Sequence, residues 1–223
     1  MTTTRSGWRA RGRSAVRFVV FVLALLTVAA PTRAVEPVEL RAYENGGEYH
    51  LSVEAVLHAP ADAVRAVLTD YVHAYRLSPS IIDSAILPTA EDGVVRLMTR
   101  IEECVPFYCV DMVSVADIKE QPSGDLEVAV IPALSDLRSG SAEWRIRSEQ
   151  GKSRVQYELR LKPDFFIPPL IGPAIIIKKL KEEALTTLDR LECMAEIRAS
   201  RGRDSGIRYS DLGLPYECLE GDR

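Results

Sequence analysis

The residues with the most distinctive chemistry in this chain are its four cysteines, Cys104, Cys109, Cys193 and Cys218. Four cysteines allow three pairings. Cys104 and Cys109 flank VPFY, which suits a tight loop, so the two thiols can face each other across a hairpin. Cys193 would then pair with Cys218 and tie the end of the chain to a helix. A zinc site is the alternative, but C-x₄-C spacing without nearby histidines disfavours metal binding.

The sequence carries no motif of a known catalytic machinery. It has no Ser–His–Asp order, no HExxH, no glycine-rich phosphate loop and no paired-carboxylate arrangement. Its three histidines, His50, His58 and His73, fall where we expect solvated surface. We therefore predict no catalytic residue, no metal and no cofactor, and binding is favoured over catalysis.

The first 34 residues have the layout of a secretory signal. A basic segment, RSGWRARGRSAVR, precedes the thirteen-residue apolar run FVVFVLALLTVAA, and PTRA leads to a predicted cut after Ala34. A membrane span needs about 20 apolar residues, so a retained anchor is the less favoured alternative. The sequence predicts a protein exported across an inner membrane to the periplasm.

Removal of this leader changes the charge of the chain. The leader contains six arginines and no acids, so the net charge falls from −4 to −10. A chain this acidic repels phosphate backbones, and we expect no nucleic-acid partner. The remaining residues are enough for one domain, predicted at 35–198, followed by a polar tail at 199–223.

Alternation of apolar and polar residues predicts a sheet. PVELRAY and EYHLSVEAVLHAP are separated by ENGG, a strong hairpin signal. ADAVRAVLTDYVHAYRLSPS then has the apolar spacing of a helical pair. Strands interrupted by turn residues follow, from IDSAILPT to SRVQYELRLKP. From about Pro173 to about Ala199, an apolar stripe predicts a long helix that covers the sheet.

A Cys104–Cys109 bridge would set the register of the hairpin around it, because facing residue numbers then sum to 213. One face of this hairpin would hold Val95, Leu97, Thr99, Ile101, Val110, Met112, Ser114, Ala116 and Ile118. The other would hold Arg96, Arg100, Glu102, Asp111 and Asp117, with Arg96 across from Asp117. A slip of one residue would turn every side chain over and bury Arg100 with Asp111.

The order of these segments resembles the START-like, or SRPBCC, superfamily, and most closely its coenzyme Q-binding and polyketide-cyclase-like branch. The resemblance is carried by VEAVLHAPADAVRAVLTDYVHAYRLSPSI at 53–81 and FFIPPLIGPAIIIKKLKEEALTTLDRLE at 165–192, and it extends over about residues 48–195. It implies an α+β helix-grip fold, a curved antiparallel sheet wrapped around a long C-terminal helix, with a short helical pair after the first long strand. It also implies a cavity between sheet and helix. Arg65 departs from the pattern, since members often have Trp there.

The uncharged run FFIPPLIGPAIII at 165–177 joins the last predicted strand to the long helix. Its prolines exclude a membrane helix and a buried strand. The resemblance places this run at the mouth of the cavity. A simple cap on the core is the alternative.

An apolar cavity with a few hydroxyl groups suits a lipid, a quinone or a sterol-like molecule. The candidate residues for its lining or mouth are Tyr71, Tyr75, Leu97, Thr99, Ile101, Met112, Ser114, Trp144, Tyr157, Phe165, Phe166, Leu170, Ile171 and Ile177. Packing within the core is the alternative role for each.

We therefore predict a binding or transfer protein for a hydrophobic small molecule, with transient contact at a membrane surface. One alternative is a cyclase, dehydratase or hydrolase acting in the same cavity, whose ionisable group would be sought among Arg100, Asp111, Glu158 and Arg160. Another is a module that docks a partner protein through a sheet edge or the apolar mouth.

Overall fold

The computed structural model describes residues 35, 37–105, 108–168, 172–201 and 218, so the predicted leader lies outside the described residues. The strands are, in chain order, β1 (Pro37–Asn45), β2 (Glu48–Leu57), β3 (Ile81–Leu87), β4 (Val94–Val105), β5 (Tyr108–Glu120), β6 (Leu126–Val130), β7 (Leu137–Glu149) and β8 (Lys152–Pro163). The helices are α1 (Ala61–Leu68), two 3₁₀ helices at Tyr71–Arg76 and Pro132–Leu134, and α2 (Gly172–Arg201).

The strands form one antiparallel sheet in the order β1-β2-β8-β7-β6-β5-β4-β3. The sheet begins with the predicted hairpin, whose turn residues Gly46 and Gly47 have φ values of 60° and 81°. This left-handed backbone is what a two-residue hairpin turn requires and what glycine adopts without strain. The sheet curves around α2, so the predicted helix-grip arrangement is confirmed.

The register predicted for the β4–β5 hairpin is also confirmed. Cys104 faces Cys109, and Thr99 faces Ser114. Arg96 lies across from Asp117 and donates two hydrogen bonds to its carboxylate, of 2.7 and 2.9 Å. The apolar and charged faces of this hairpin are therefore those that the sequence predicted.

Both predicted disulfides are present, Cys104–Cys109 and Cys193–Cys218. The first joins the ends of β4 and β5. The second fixes Cys218 to the C-terminal half of α2, where Cys218 is buried within the apolar core. The end of the chain is thus tied to the helix.

The short helical pair after β2 consists of α1 and the 3₁₀ helix Tyr71–Arg76. Helix α1 buries Val64, Val67 and Leu68 on one face. It ends at Leu68, and the hydroxyl of the following residue, Thr69, donates to the carbonyl oxygen of Arg65 at 3.0 Å. This side chain competes with the backbone of the helix, which favours a stop at that position.

The buried core lies under the C-terminal half of α2. There Leu188, Leu191 and Met194 are buried together with Val64 of α1 and Val155 of β8. In the N-terminal half of α2, by contrast, Ile177 and Leu180 are only half-buried. Packing between helix and sheet is therefore dense at one end and incomplete at the other.

Within the described residues, no helix combines the length and the apolar character needed to cross a membrane.

The unequal packing of the two halves of α2 predicts that equal truncations in them lower the free energy of unfolding by different amounts. Leu191 is fully buried, so Leu191→Ala should lower the free energy of unfolding by about 2–5 kcal/mol. Leu180→Ala removes the same atoms from a half-buried position and should cost less than half as much. Urea denaturation of both variants measures the difference, and equal losses would contradict the asymmetry.

Candidate functional site

The concave face of the sheet, which is the face turned toward α2, brings the predicted lining residues of β4 and β5 together. Thr99 and Ser114 face each other, and the hydroxyl of Thr99 donates to the carbonyl oxygen of Ser114 at 3.4 Å. Leu97, Ile101 and Met112 share this face. All five side chains are half-buried. The surface they form is mainly apolar and carries two hydroxyl groups.

Two aromatic residues continue this surface across β7 and β8. Trp144 and Tyr157 lie opposite each other, and their rings stack with centroids 4.0 Å apart and planes 25° apart. Both side chains pack against the edge of the buried core. Burial raises the pKa of Tyr157, and a neutral tyrosine hydroxyl can donate or accept a hydrogen bond.

The 3₁₀ helix Tyr71–Arg76 holds the remaining predicted tyrosines. Tyr71 is half-buried, and burial, reinforced by the charge of Glu120, raises its pKa to about 12. Tyr75 is 41% exposed, with its ring in edge contact with His73. Tyr71 therefore lies deeper in the fold than Tyr75.

The predicted mouth lies between β8 and α2. Phe165 and Ile167 are half-buried, whereas Phe166 is 80% exposed. The amide of Asp164 donates to the carbonyl oxygen of Asp136 at 3.0 Å. This bond places the segment beside the second 3₁₀ helix, which carries the exposed Leu134. Two predicted mouth residues, Leu170 and Ile171, lie outside the described residues.

A polar cluster joins the concave face to the N-terminal half of α2, and we call it the Glu103 cluster. Its members are Ser78, Ser80, Glu103, Lys179 and Glu183. The Lys179 ammonium lies 2.8 Å from the Glu103 carboxylate. Ser78 donates to Glu183 at 2.6 Å, and the Ser80 hydroxyl contacts both Glu103 and Glu183. Because Ser80 has one hydroxyl hydrogen, it donates to one carboxylate at a time.

The electrostatics of the cluster favour an ionised Glu103. Partial burial opposes its ionisation, but the bonds from Lys179 and Ser80 outweigh that effect and hold the pKa of this carboxyl below its usual value. The same bond to Glu103 raises the pKa of Lys179. The cluster therefore fastens α2 to β4 through an ion pair and several hydrogen bonds.

The Glu103 cluster is not among the sequence-based predictions, although strand alternation gives one signal for it. Glu103 has the same strand parity as Thr99 and Ile101, so alternation places it on the concave face. Its partners, Ser80 and Lys179, come from segments far away in sequence, and no local sequence pattern predicts these contacts.

The four ionisable residues singled out for an enzyme do not lie on the concave face. Arg100 and Asp111 form an ion pair, but both are exposed on the opposite, convex face. Glu158 and Arg160 share that convex face, where the Arg145 guanidinium contacts Glu158. The register alternative that would have buried Arg100 with Asp111 is therefore wrong.

The three histidines are less exposed to solvent than we expected, and each lies beside a carboxylate. His58 Nδ1 lies 2.9 Å from Glu192, and His73 Nδ1 lies 2.8 Å from Asp70. His50 Nε2 is 3.1 Å from Glu48, and its ring stacks on Tyr43. The expectation of plain solvated histidines is corrected: all three are half-buried and have polar partners.

Two surface grooves lie away from the predicted site. One, of about 480 Å³, is formed by Arg65 and residues 120–124. The other, of about 510 Å³, is on the convex face, where Asp117, Glu127 and Glu143 contribute to its lining. Neither groove includes a residue predicted to line the ligand cavity or its mouth, although Glu158 and Arg160, named for the enzyme alternative, line the second. Their charged linings do not suit a hydrophobic ligand.

A protein-family model described as polyketide cyclase/dehydrase and lipid transport matches residues 57–187. No curated protein matches the sequence significantly. The matched range contains α1, the concave-face strands and the first half of α2.

Solved structures share the fold at low sequence identity. A protein from Thermus thermophilus has a TM-score of 0.56 and 14% identity, over 67% of this chain and 99% of that one. An aromatase/cyclase from a Streptomyces species has a TM-score of 0.51 and 16% identity, over 71% and 98%. A STAR-related lipid transfer protein from Xanthomonas axonopodis has a TM-score of 0.52 and 18% identity, over 70% and 97%.

The Glu103 cluster predicts that its acid stabilises the N-terminal half of α2. Glu103→Gln removes the ion pair with Lys179 and should speed hydrogen–deuterium exchange in residues 172–183, leaving the C-terminal half unchanged. Because the pKa of Glu103 is lowered in the fold, its contribution is present above the unfolded pKa of about 4.3 and is lost as the pH falls further. Acidification should therefore bring the unmodified protein toward the variant.

The matched control for this experiment is Glu102→Gln. Glu102 is the next residue along β4 and is exposed on the opposite face. It should leave exchange in α2 unchanged, and an equal effect of the two substitutions would contradict the role of the cluster.

Proposed function

Because this chain belongs to the polyketide cyclase/dehydrase and lipid transport family, we propose that it is an exported protein that binds a hydrophobic small molecule. The ligand is of the lipid, quinone or sterol kind, and it lodges between the concave face of the sheet and the N-terminal half of α2. The protein shields this molecule from water in transit.

The observation that carries the proposal is the incomplete packing of an apolar surface. Leu97, Ile101 and Met112 face α2 yet stay half-buried, while the dense core lies under the other half of the helix. Covering apolar surface is worth about 25 cal/mol per Å². A mostly hydrocarbon ligand would complete the packing without a charged anchor. The hydroxyls of Thr99, Ser114 and Tyr157 would orient its polar end.

A cyclase or dehydratase acting on a hydrophobic substrate in the same site is the second candidate. One structure with the same fold is an aromatase/cyclase, and Glu103 offers a carboxylate on the concave face. However, the lowered pKa of Glu103 makes it a weak base at neutral pH. Its bonds to Lys179 and Ser80 also occupy its oxygens. Binding is therefore favoured over catalysis.

Export is supported by the leader-like N-terminus and by two disulfides. Disulfides persist in oxidising compartments such as the periplasm and are rare in the cytosol. The Cys193–Cys218 bridge also holds a buried residue of the tail, so it is part of the folded core.

Delivery of such a ligand requires contact with a membrane surface, and the segment after β8 suits that contact. Phe166 is 80% exposed, and the hydrogen bond between Asp164 and Asp136 joins this segment to the stretch that carries the exposed Leu134. Aromatic side chains of this kind partition into the interfacial region of a bilayer. We assign this apolar rim to transient membrane docking next to the mouth.

The binding proposal predicts that filling the concave face displaces the ligand. Protein purified from the periplasm of a bacterial host should yield a lipid-like molecule on solvent extraction and mass spectrometry. Ser114→Phe adds a ring on the concave face, in the space proposed for the ligand. It should reduce the recovered ligand at least about tenfold, because the ring and the ligand would occupy the same volume. Ser114→Ala keeps the space and should retain the ligand.

Ser141→Phe is the matched control, because Ser141 is exposed on the convex face of β7. It should leave recovery unchanged. Equal recovery from the Ser114→Phe and Ser141→Phe proteins would contradict the location of the site. Absence of any extracted molecule from the unmodified protein would contradict binding itself.

The docking rim predicts a separate effect on membrane association. Phe166→Ser should reduce sedimentation with phosphatidylcholine–phosphatidylglycerol vesicles severalfold while leaving the unfolding temperature unchanged, because the side chain is exposed. Val38→Ser removes another exposed apolar side chain, 62% exposed, from the edge strand β1. Strand pairing places Val38 near the start of β8, away from Phe166, which follows the end of that strand. If the two substitutions weaken sedimentation equally, the rim has no special role.

A further inference from the structure

The first described residue, Val35, precedes β1 and yet is buried and hydrogen-bonded to α2. Its side chain is only 8% exposed and belongs to the buried core. Its backbone nitrogen donates to the carboxylate of Asp189 at 2.6 Å. Asp189 lies on α2, between the buried residues Leu188 and Arg190. The backbone nitrogen of Val35 thus bonds to the carboxylate of Asp189, which lies 154 positions later in the sequence.

A carboxylate in a half-buried position gains most from a partner that carries a full positive charge. A peptide N–H offers one hydrogen and a partial charge, whereas an α-ammonium offers three hydrogens and a unit charge. The sequence independently predicts a leader that ends at Ala34, which makes Val35 the new first residue. The predicted cut and the Asp189 contact therefore meet at the same nitrogen atom.

We propose that the Ala34–Val35 bond is the processing site of this protein and that the α-ammonium group released there forms an ion pair with Asp189. Hydrolysis of the bond by a leader peptidase consumes one water, leaves the carboxylate on Ala34 and leaves the amine on Val35, which takes up a proton. The unprocessed chain has an amide nitrogen at this position, so the ion pair exists only after cleavage.

The proposed ion pair would join the processed end of the chain to the helix that covers the core. Val35 precedes β1, an edge strand of the sheet, and Asp189 lies in the part of α2 that covers the buried core. Cys218 reaches the same core through its bridge to Cys193. Processing thus joins Val35 to the C-terminal half of α2. The Cys193–Cys218 disulfide joins Cys218 to the same half of the helix.

The test uses the full chain with its own leader, exported by a bacterial host and purified from the periplasm. Intact-mass measurement should show a protein that begins at Val35. In a second chain, one alanine is inserted between Ala34 and Val35, which moves the ammonium group away from Asp189 by about 3.5 Å. The insertion should lower the unfolding temperature by about 4 °C or more. In the Asp189→Asn background the insertion should have no effect.

A second readout follows the amine itself. With Asp189 present, the Val35 amine should resist reductive methylation at neutral pH, because the ion pair engages it and the surrounding fold covers it. Both the insertion and Asp189→Asn should expose it to modification at least about tenfold faster. A mature protein that begins elsewhere would overturn the proposal. So would an insertion that changes neither stability nor amine reactivity, or one that acts equally with Asn at position 189.

Discussion

Packing of α2 against the concave side of the sheet is the interaction on which the rest of this structure depends. An antiparallel sheet with one apolar face needs a cover, and a single long helix covers only part of a curved surface. Here Leu188, Leu191 and Met194 belong to the buried core that α2 forms with α1 and with strands that include β2 and β8. The N-terminal half of α2 is fastened mainly by the Glu103 cluster. The C-terminal half of α2 covers the buried core, whereas the apolar side chains of β4 and β5 on the concave face stay half-buried.

The two faces of the sheet have opposite chemistry for the same reason. Side chains alternate along each strand, so apolar residues turned toward α2, such as Leu51 and Ile101, have polar neighbours turned outward. On the convex face Glu158, Glu143 and Glu127 are direct neighbours across β8, β7 and β6. Like charges in such positions repel, and Arg145 offsets this by contacting Glu143 and Glu158. The ionisable groups of the sheet are thus engaged mostly with one another, away from the proposed ligand.

The ends of the domain are tied into the same core. Cys218 and Val35 both lie among the buried residues near the C-terminal half of α2. Cys218 is held by its disulfide to Cys193, and Val35 is held by the hydrogen bond from its backbone nitrogen to Asp189. Both ties are made to the C-terminal half of α2, whereas the N-terminal half is held by the Glu103 cluster. This difference between the two halves of α2 is consistent with the proposed binding of a ligand beside the N-terminal half.

Local sequence patterns were sufficient for the elements, for their faces and for the register of the β4–β5 hairpin. Strand alternation, the Asn-Gly turn and the helical stripe each act over a few residues, and the Cys104–Cys109 pair sets a register between adjacent strands. The placement of Thr99 beside Ser114 followed from that pair. Contacts between distant segments required the tertiary structure. Ser80, Glu103 and Glu183 meet only when the sheet and α2 are assembled, as do Val35 and Asp189 or His58 and Glu192. Where the helix packs densely and where it does not is likewise decided by the curvature of the whole sheet, which no single stretch of sequence encodes.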